Sequence, residues 1–169
     1  MVVIVMGVSG VGKTTVGERL AARLGWRFLD ADAFHAPESI AKMAAGIALT
    51  DEDRAPWLAR LRELLRGALE AGEDLVLACS ALKGAYRERL RVDAARQRWV
   101  YLHASPALLA SRLKAREGHY MPPVLLDSQL AALEVPEDAL PVDVSADPDT
   151  VVDTIIRELG LQRGVSPGS

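Results

Sequence analysis

Gly7-Val8-Ser9-Gly10-Val11-Gly12-Lys13-Thr14 follows an unbroken apolar run, Val2 to Met6, and precedes a stretch in which Val16, Leu20, Ala21 and Leu24 recur at helical spacing. A β-branched run without polar alternation is the pattern of a strand buried on both faces, as in a parallel sheet. Gly25 is placed to stop the helix that follows. The octapeptide itself has the spacing GxxxxGK[ST], in the strand-to-helix context that this motif requires. Its glycines let the backbone curl, so that several N–H groups and the positive end of the helix converge on one point, a cradle for phosphate oxygens. The plain alternative, a glycine-rich turn with a surface lysine, has no need of this spacing or this context.

Outward from that unit the pattern repeats. Arg27 to Leu29 reads as a short strand running into a loop at Asp30-Ala31-Asp32. Leu58, Leu61, Leu65 and Leu69 mark an amphipathic helix stopped near Gly72, and Asp74 to Cys79 is another buried strand. Trp99 to His103 reads as a strand, Pro106 opens a helix through Lys114, Leu125 to Glu134 forms another, Val142 to Ser145 is a fifth strand and Pro148 to Leu159 a last helix. Strands separated by helices imply right-handed crossovers, hence an α/β fold with a five-stranded parallel sheet flanked by helices. We expect one domain over residues 1–162 and a frayed, flexible tail over 163–169.

Composition narrows the partners. The chain has 169 residues, a quarter of them charged, and a formal net charge of -3. There is no bulk attraction to nucleic acid or to anionic lipid, so any anion must be held locally. The apolar start is broken by glycines far short of the roughly 20 residues that span a bilayer, and it lacks the charged flank of a signal peptide. Cys79 is the only cysteine, which excludes an intramolecular disulfide or a cysteine-rich zinc site and fits a reducing, cytoplasmic setting. The three histidines are too scattered to form a metal cluster, and Mg²⁺ held by oxygen ligands suffices.

The motif assigns roles. The backbone of Gly7, Val8, Ser9, Gly10, Val11 and Gly12 cradles phosphates, Lys13 reaches the β and γ phosphates, Thr14 offers its hydroxyl to Mg²⁺ and Thr15 reaches the α phosphate. The acceptor stays open at this point: water, or the hydroxyl of a small molecule. Neither an NKxD-like nor a DxxG-like segment of a switch protein is present. The usual acidic Mg²⁺ partner is also missing, since Leu75-Val76-Leu77-Ala78 leads to Cys79-Ser80. Asp30 and Asp32 follow a strand end, where α/β ligands bind. Their spacing allows one to hold Mg²⁺ and the other to take a proton from an attacking hydroxyl, or else both serve a cap or turn.

Several segments together resemble the family of gluconokinases of the thermoresistant type, small P-loop kinases akin to shikimate and nucleoside monophosphate kinases. They are GVSGVGKTTVG from Gly7, FLDADAFH from Phe28, KMAAGIALTDEDRAPWL from Lys42, CSALKGAYRERLR from Cys79, RLKAREGHYM from Arg112 and LLDSQLAALEVP from Leu125. The second pair of long motifs is far more particular to that family than the phosphate loop. The resemblance implies a P-loop NTPase fold with the phosphate loop at 7–14, a substrate-side helical segment about 32–58 and a mobile lid about 112–124. It implies ATP- and Mg²⁺-dependent phosphorylation of D-gluconate to 6-phospho-D-gluconate by a homodimer. In that reading Lys13, Asp32 and Arg116 are catalytic, Arg112 joins the phosphate loop in holding ATP, and Thr14 and Asp30 serve the metal. Asp32, His35, Lys42, Arg54, Ser80, Lys83, Arg87 and Gln129 hold the acceptor.

Two departures from the family pattern fall in the substrate-side segment. His35-Ala36-Pro37-Glu38-Ser39 stands where relatives show His-Pro and an asparagine, and Ala48 where they show proline. Each assignment has a plainer counterpart. Arg54 either grips a carboxylate with two parallel bonds or pairs with Asp51 or Asp53. Lys83, Tyr86 and Arg87 either face a site or form a solvated helix face, His35 either touches the acceptor or makes a structural hydrogen bond, and Trp57 packs in the core. Arg112 and Arg116, one helical turn apart, either converge on the transferring phosphoryl or decorate a helix end. Cys79 is expected to line the site without acting as a nucleophile. The alternatives kept open are a kinase of another hydroxy acid such as shikimate, and a nucleotide-binding module without turnover.

Overall fold

The computed structural model describes residues 1–115 and 123–163. Strand β1 (Val2–Met6) is buried along its whole length, and it occupies the middle of a five-stranded parallel sheet with the order β2-β3-β1-β4-β5. Its neighbours are β3 (Leu75–Ala78) and β4 (Gln97–His103), while β2 (Arg27–Asp30) and β5 (Leu140–Asp143) form the two edges. Successive side chains of a strand point to opposite faces, which explains why β1 has no polar alternation. Val3 and Val5 face one core with Val76, Val100 and Leu102, and Val2, Ile4 and Met6 face the other with Leu75 and Leu77.

Helices cover both faces. Against the first core pack α1 (Lys13–Leu24) through Val16 and Leu20, and the C-terminal helix Pro148–Leu159 through Val152 and Ile155. Gly17 permits the close approach of α1 to the sheet, since a Cβ there would lie 2.7 Å from the Phe28 ring. The second core is closed by the helix Asp51–Glu70 through Leu58, Leu61 and Leu65 and by Gly84–Leu90 through Leu90. In chain order the helices after α1 are α2 (Pro37–Ala44), α3 (Asp51–Glu70), α4 (Gly84–Leu90), α5 (Pro106–Ala115), α6 (Pro123–Ala132) and α7 (Pro148–Leu159), with a 3₁₀ turn at Ala31–Phe34. None of the described helices is long and apolar enough to cross a membrane.

Register positions the site. Val5 of β1 and Asp30 of β2 both pair with Ala78 of β3, so three strands end level at their carboxyl edge. The connections that leave that edge begin at Gly7, Ala31 and Cys79.

Some sequence readings need correction. β2 runs one residue further, so Asp30 belongs to the strand and also caps the 3₁₀ turn, accepting from the Asp32 N–H at 2.9 Å. β5 begins two residues earlier than Val142 and ends at Asp143. As an edge strand with only Val142 buried, it carries little of the apolar signal by which strands are recognised, and Ser145 already bends back onto the Asp143 carboxylate. The helix expected at Leu125 to Glu134 starts and ends two residues earlier, at Pro123 and Ala132. α2 lies within the helical segment about 32–58 that the resemblance implies, but periodicity does not reveal it because it has no buried apolar stripe: Ser39 is its buried residue, whereas Ile40 and Met43 are exposed. α4 escapes for a related reason, since a buried arginine, Arg87, occupies part of its inner face.

Candidate active site

The phosphate loop is held from below and open above. Val8 and Val11 are buried in the core under the loop. Gly7, Gly10 and Gly12 have φ of 151°, 93° and 88°, and a Cβ on Gly7 would stand 2.7 Å from the Leu102 carbonyl oxygen. Any other residue there displaces the loop. No acidic residue stands in the first turn of α1 and no side chain caps it, which leaves the positive end of the helix for an external anion. The Lys13 ammonium lies 3.2 Å from the Val8 carbonyl, curled over its own loop. Thr14 donates its hydroxyl to Asp30 Oδ2 at 2.9 Å, so the loop and the end of β2 meet through two hard oxygen donors.

Beside the loop opens a cleft of about 380 Å³. Ser9, Lys13, Asp32, His35, Arg54, Trp57, Ser80 and Gln129 contribute to its walls, and residues 43–44 and 46–49 form a mostly apolar rim. Asp32 shows 76 % of its side chain to solvent yet stands in a concavity. Partial desolvation there, reinforced by the neighbouring Asp30 carboxylate, raises its carboxyl above the ordinary aspartate value, while Lys13 and His35 act in the opposite sense. Such a shift makes an aspartate a better proton acceptor.

His35 is buried and stacked on Trp57, with ring centroids 4.3 Å apart. The Trp57 indole N–H is anchored on the Ala31 carbonyl at 2.7 Å, so Trp57 is both a core residue and a cleft wall. Nε2 of His35 lies 3.8 Å from Asp32, and Nδ1 is buried without a hydrogen-bond partner among the described residues. Burial pushes the imidazole below its usual value, and Arg54 adds to the effect against the pull of Asp32. His35 is therefore neutral at physiological pH and an apolar-like support for the aspartate.

The remaining acceptor residues divide. Ser80 and Gln129 line the cleft. Gln129 reaches over from α6 to accept from the Ser9 N–H at 2.7 Å and to donate to the Ser9 hydroxyl at 3.1 Å. Arg54 also faces the cleft and has no carboxylate within 4.0 Å among the described residues, so the plainer alternative, a pairing with Asp51 or Asp53, does not form. Lys42 is turned away: its ammonium sits 2.9 Å from Asp53, whose carboxylate completes the capping box of α3 with Thr50. The backbone N–H of Thr50, and then Lys42, hold the Asp53 carboxyl down to about 2. Lys83 likewise meets Asp51 at 3.3 Å.

Arg87 is neither a solvated face nor a wall of the cleft. Its guanidinium is buried and donates to the carbonyls of Ala81, Leu82 and Glu134 at 2.9, 3.2 and 2.9 Å. Ala81 is the one non-glycine residue with positive φ among those described, at 44°, and Arg87 clamps this strained turn, which carries Ser80 and Leu82 into the cleft wall. Cys79 also departs from expectation. It lies in the second core, not on the cleft surface, and burial pushes its thiol up to about 12.

A second groove of about 280 Å³ runs along the other side of the phosphate loop, between Gly10, Gly12 and Thr15 and the β5–α7 connection at Val144, Ala146 and Pro148. Arg112 lines it and donates to the Val144 carbonyl. Arg116 and the remainder of the lid expected between residues 116 and 122 lie outside the described residues, as does the tail from 164 onward. Sequence reading missed the β5–α7 connection, whose signal was its position after a strand end on the carboxyl edge, and Ser128, which neighbours Gln129 within α6; the 46–49 rim fell within the substrate-side segment without a residue being singled out as a ligand. Of the departures from the family pattern, Ala48 belongs to the rim, Ser39 is buried and Ala36 precedes α2.

A family model described as an AAA domain matches residues 2–136. The gluconokinase of Gluconobacter oxydans (strain 621H) is 54% identical over 157 residues, covering 91% of this chain and 88% of that one. A crystal structure of a gluconokinase from Sinorhizobium meliloti 1021 superposes with a TM-score of 0.85 at 43% identity, over 94% of this chain and 90% of the other. The shikimate kinase of Aquifex aeolicus vf5 shares the fold with a TM-score of 0.59, at 19% identity, over 95% of this chain and 96% of its own.

Proposed function

The chain belongs to the gluconokinase family of P-loop kinases, and from that premise we propose that it transfers the γ-phosphoryl group of ATP to the terminal hydroxyl of D-gluconate, giving ADP and 6-phospho-D-gluconate. The observation that carries this reading is the shared cleft: the phosphate-loop lysine Lys13, an aspartate of raised pKa, Asp32, and an arginine without an ion-pair partner among the described residues, Arg54, all line it.

Each group has a task in the proposal. The loop N–H groups and Lys13 hold the β and γ phosphates. Arg54 grips the acceptor carboxylate at the far end of the molecule and so presents the terminal hydroxyl to the loop. Asp32 takes the hydroxyl proton as the new O–P bond forms and the bond from the γ phosphorus to the ADP oxygen breaks. His35, neutral and wedged against Trp57, keeps Asp32 in place without neutralising it. The donor set fits Mg²⁺, which takes few protein oxygens and fills its shell from phosphates and water; Thr14 and Asp30 are the pair that holds it. When bound, the ion supplies charge neutralisation at the phosphates. Arg112, on the second groove, and Arg116 complete the proposed nucleotide side.

The test is ADP release measured with D-gluconate, other aldonates, shikimate and nucleoside monophosphates as acceptors. Turnover with D-gluconate well above the acceptor-free rate is expected. A higher rate with shikimate, or none with any acceptor, replaces the proposal by one of its two alternatives.

A further inference from the structure

We propose that Tyr86 is a positioning residue that aims Arg54 at the carboxylate of the acceptor, a role that rests on the reading of Arg54 given above. Arg54 leaves the first turns of α3 and reaches α4, where its Nη1 donates to the Tyr86 hydroxyl at 3.2 Å and to the Leu49 carbonyl at 2.8 Å. Its Nη2 and Nε make no hydrogen bond among the described residues. One nitrogen is thus tied back, and the opposite edge of the guanidinium keeps two parallel donors, the arrangement that matches both oxygens of a carboxylate.

The direction of the Tyr86 bond is dictated by its single proton. That proton goes to the Asp51 carboxylate, which Lys83 also reaches, at 3.3 Å. The lone pairs of the phenol oxygen are left for Arg54. The tyrosine side chain is itself buried, with the Arg54 guanidinium 5.5 Å and the Lys83 ammonium 5.6 Å from its ring centre. Two consequences follow for Arg54. Its plane is fixed at two points instead of pivoting on the Leu49 carbonyl alone. Asp51, a competing carboxylate on its own helix, is already engaged by Tyr86 and Lys83, so it does not occupy the fork that the acceptor needs.

Steady-state kinetics with ATP and D-gluconate test this, using Tyr86→Phe, which keeps the ring and its packing. The gluconate KM is expected to rise about 3- to 10-fold, the scale of the ordinary net contribution of one hydrogen bond, with kcat within about twofold and the ATP KM unchanged. On an Arg54→Gln background the same change should add nothing. Asp51→Asn, which frees the phenol proton to turn, should move the gluconate KM in the same direction by less, and it carries the test if Tyr86→Phe melts at a lower temperature. If Arg54→Gln raises the gluconate KM while Tyr86→Phe and Asp51→Asn leave it alone, or if the effects multiply in the double variant, the positioning role is overturned and Arg54 keeps its own. If Arg54→Gln leaves the gluconate KM unchanged, the reading beneath the proposal falls and the proposal with it.

Discussion

The two walls of the cleft recognise anions by different means. On the phosphate-loop wall the donors are main-chain N–H groups set by three glycines of positive φ, and the sequence of the loop dictates its shape. On the acceptor side the candidate donors are side chains, and most of the charges carried there by α2, α3, α4 and their connections meet one another away from the cleft lining: Lys42 with Asp53, Lys83 with Asp51. Arg87 spends its charge on carbonyls. A charged residue near a site is therefore assigned by what its charge already meets, and by that criterion Arg54 and Asp32 stand apart from Lys42, Lys83 and Arg87.

The largest expected effect separates the walls outright. Asp32→Asn should lower kcat by roughly 10²-fold or more while ATP binding stays near normal, the scale of losing a general base. In the parent enzyme Asp32 works ionised and its value is raised, so kcat/KM should fall on the acid side at a pH above the ordinary aspartate value of 3.8. An Asn variant of near-normal turnover, or an acid limb below that value, breaks the assignment.

Arg87→Met comes next and should act on the fold. It leaves three backbone carbonyls to find new partners, and chemical denaturation should report a loss of about 2–4 kcal/mol. The folded fraction should retain its gluconate KM to within a few-fold; a large rise in KM at full stability would return Arg87 to the acceptor wall.

Lys42→Met should matter least. Exposed ion pairs contribute little, so the gluconate KM should stay within about twofold. Asp53 has a depressed value in the folded chain, so its contribution to stability is complete above the unfolded aspartate value and is lost as pH falls toward about 2. Removing Lys42 weakens the lesser of the two main causes of that depression, and the acid-unfolding midpoint should rise slightly. A tenfold rise in KM would show that Lys42 leaves Asp53 for the acceptor and would blur the division between the walls.

The same contrast explains what could be read from the sequence. The loop, α1 and the buried strands β1 and β3 were legible because local spacing determines them: glycines at fixed offsets, apolar runs and 3.6-residue periodicity. By periodicity α2 and α4 were not, because α2 buries a serine and α4 an arginine beside Tyr86 and Leu90; α2 entered only through the helical segment about 32–58 that the resemblance implied. Among the site residues, proximity to the cleft followed from motif resemblance, but side-chain allegiance did not. Whether Lys42 faces Asp53 or a ligand depends on how α2 and α3 pack, and no local pattern records it. The clamp of Arg87 on Ala81 is equally silent, since a positive φ at an alanine leaves no mark in composition.

Cys79 sits under the floor of this cleft, sole thiol of the chain, 1 % exposed and protonated at neutral pH because its value is pushed up to about 12. A thiolate is the nucleophile that attacks alkylating reagents and disulfides, so the native protein offers them nothing to react with. Only a molecule that has opened its second core, parting α3 and α4 from the sheet, presents this sulfur to solvent. Modification by a thiol reagent therefore counts openings of the core one molecule at a time, and the chain carries a built-in chemical clock for its own unfolding, requiring no added label.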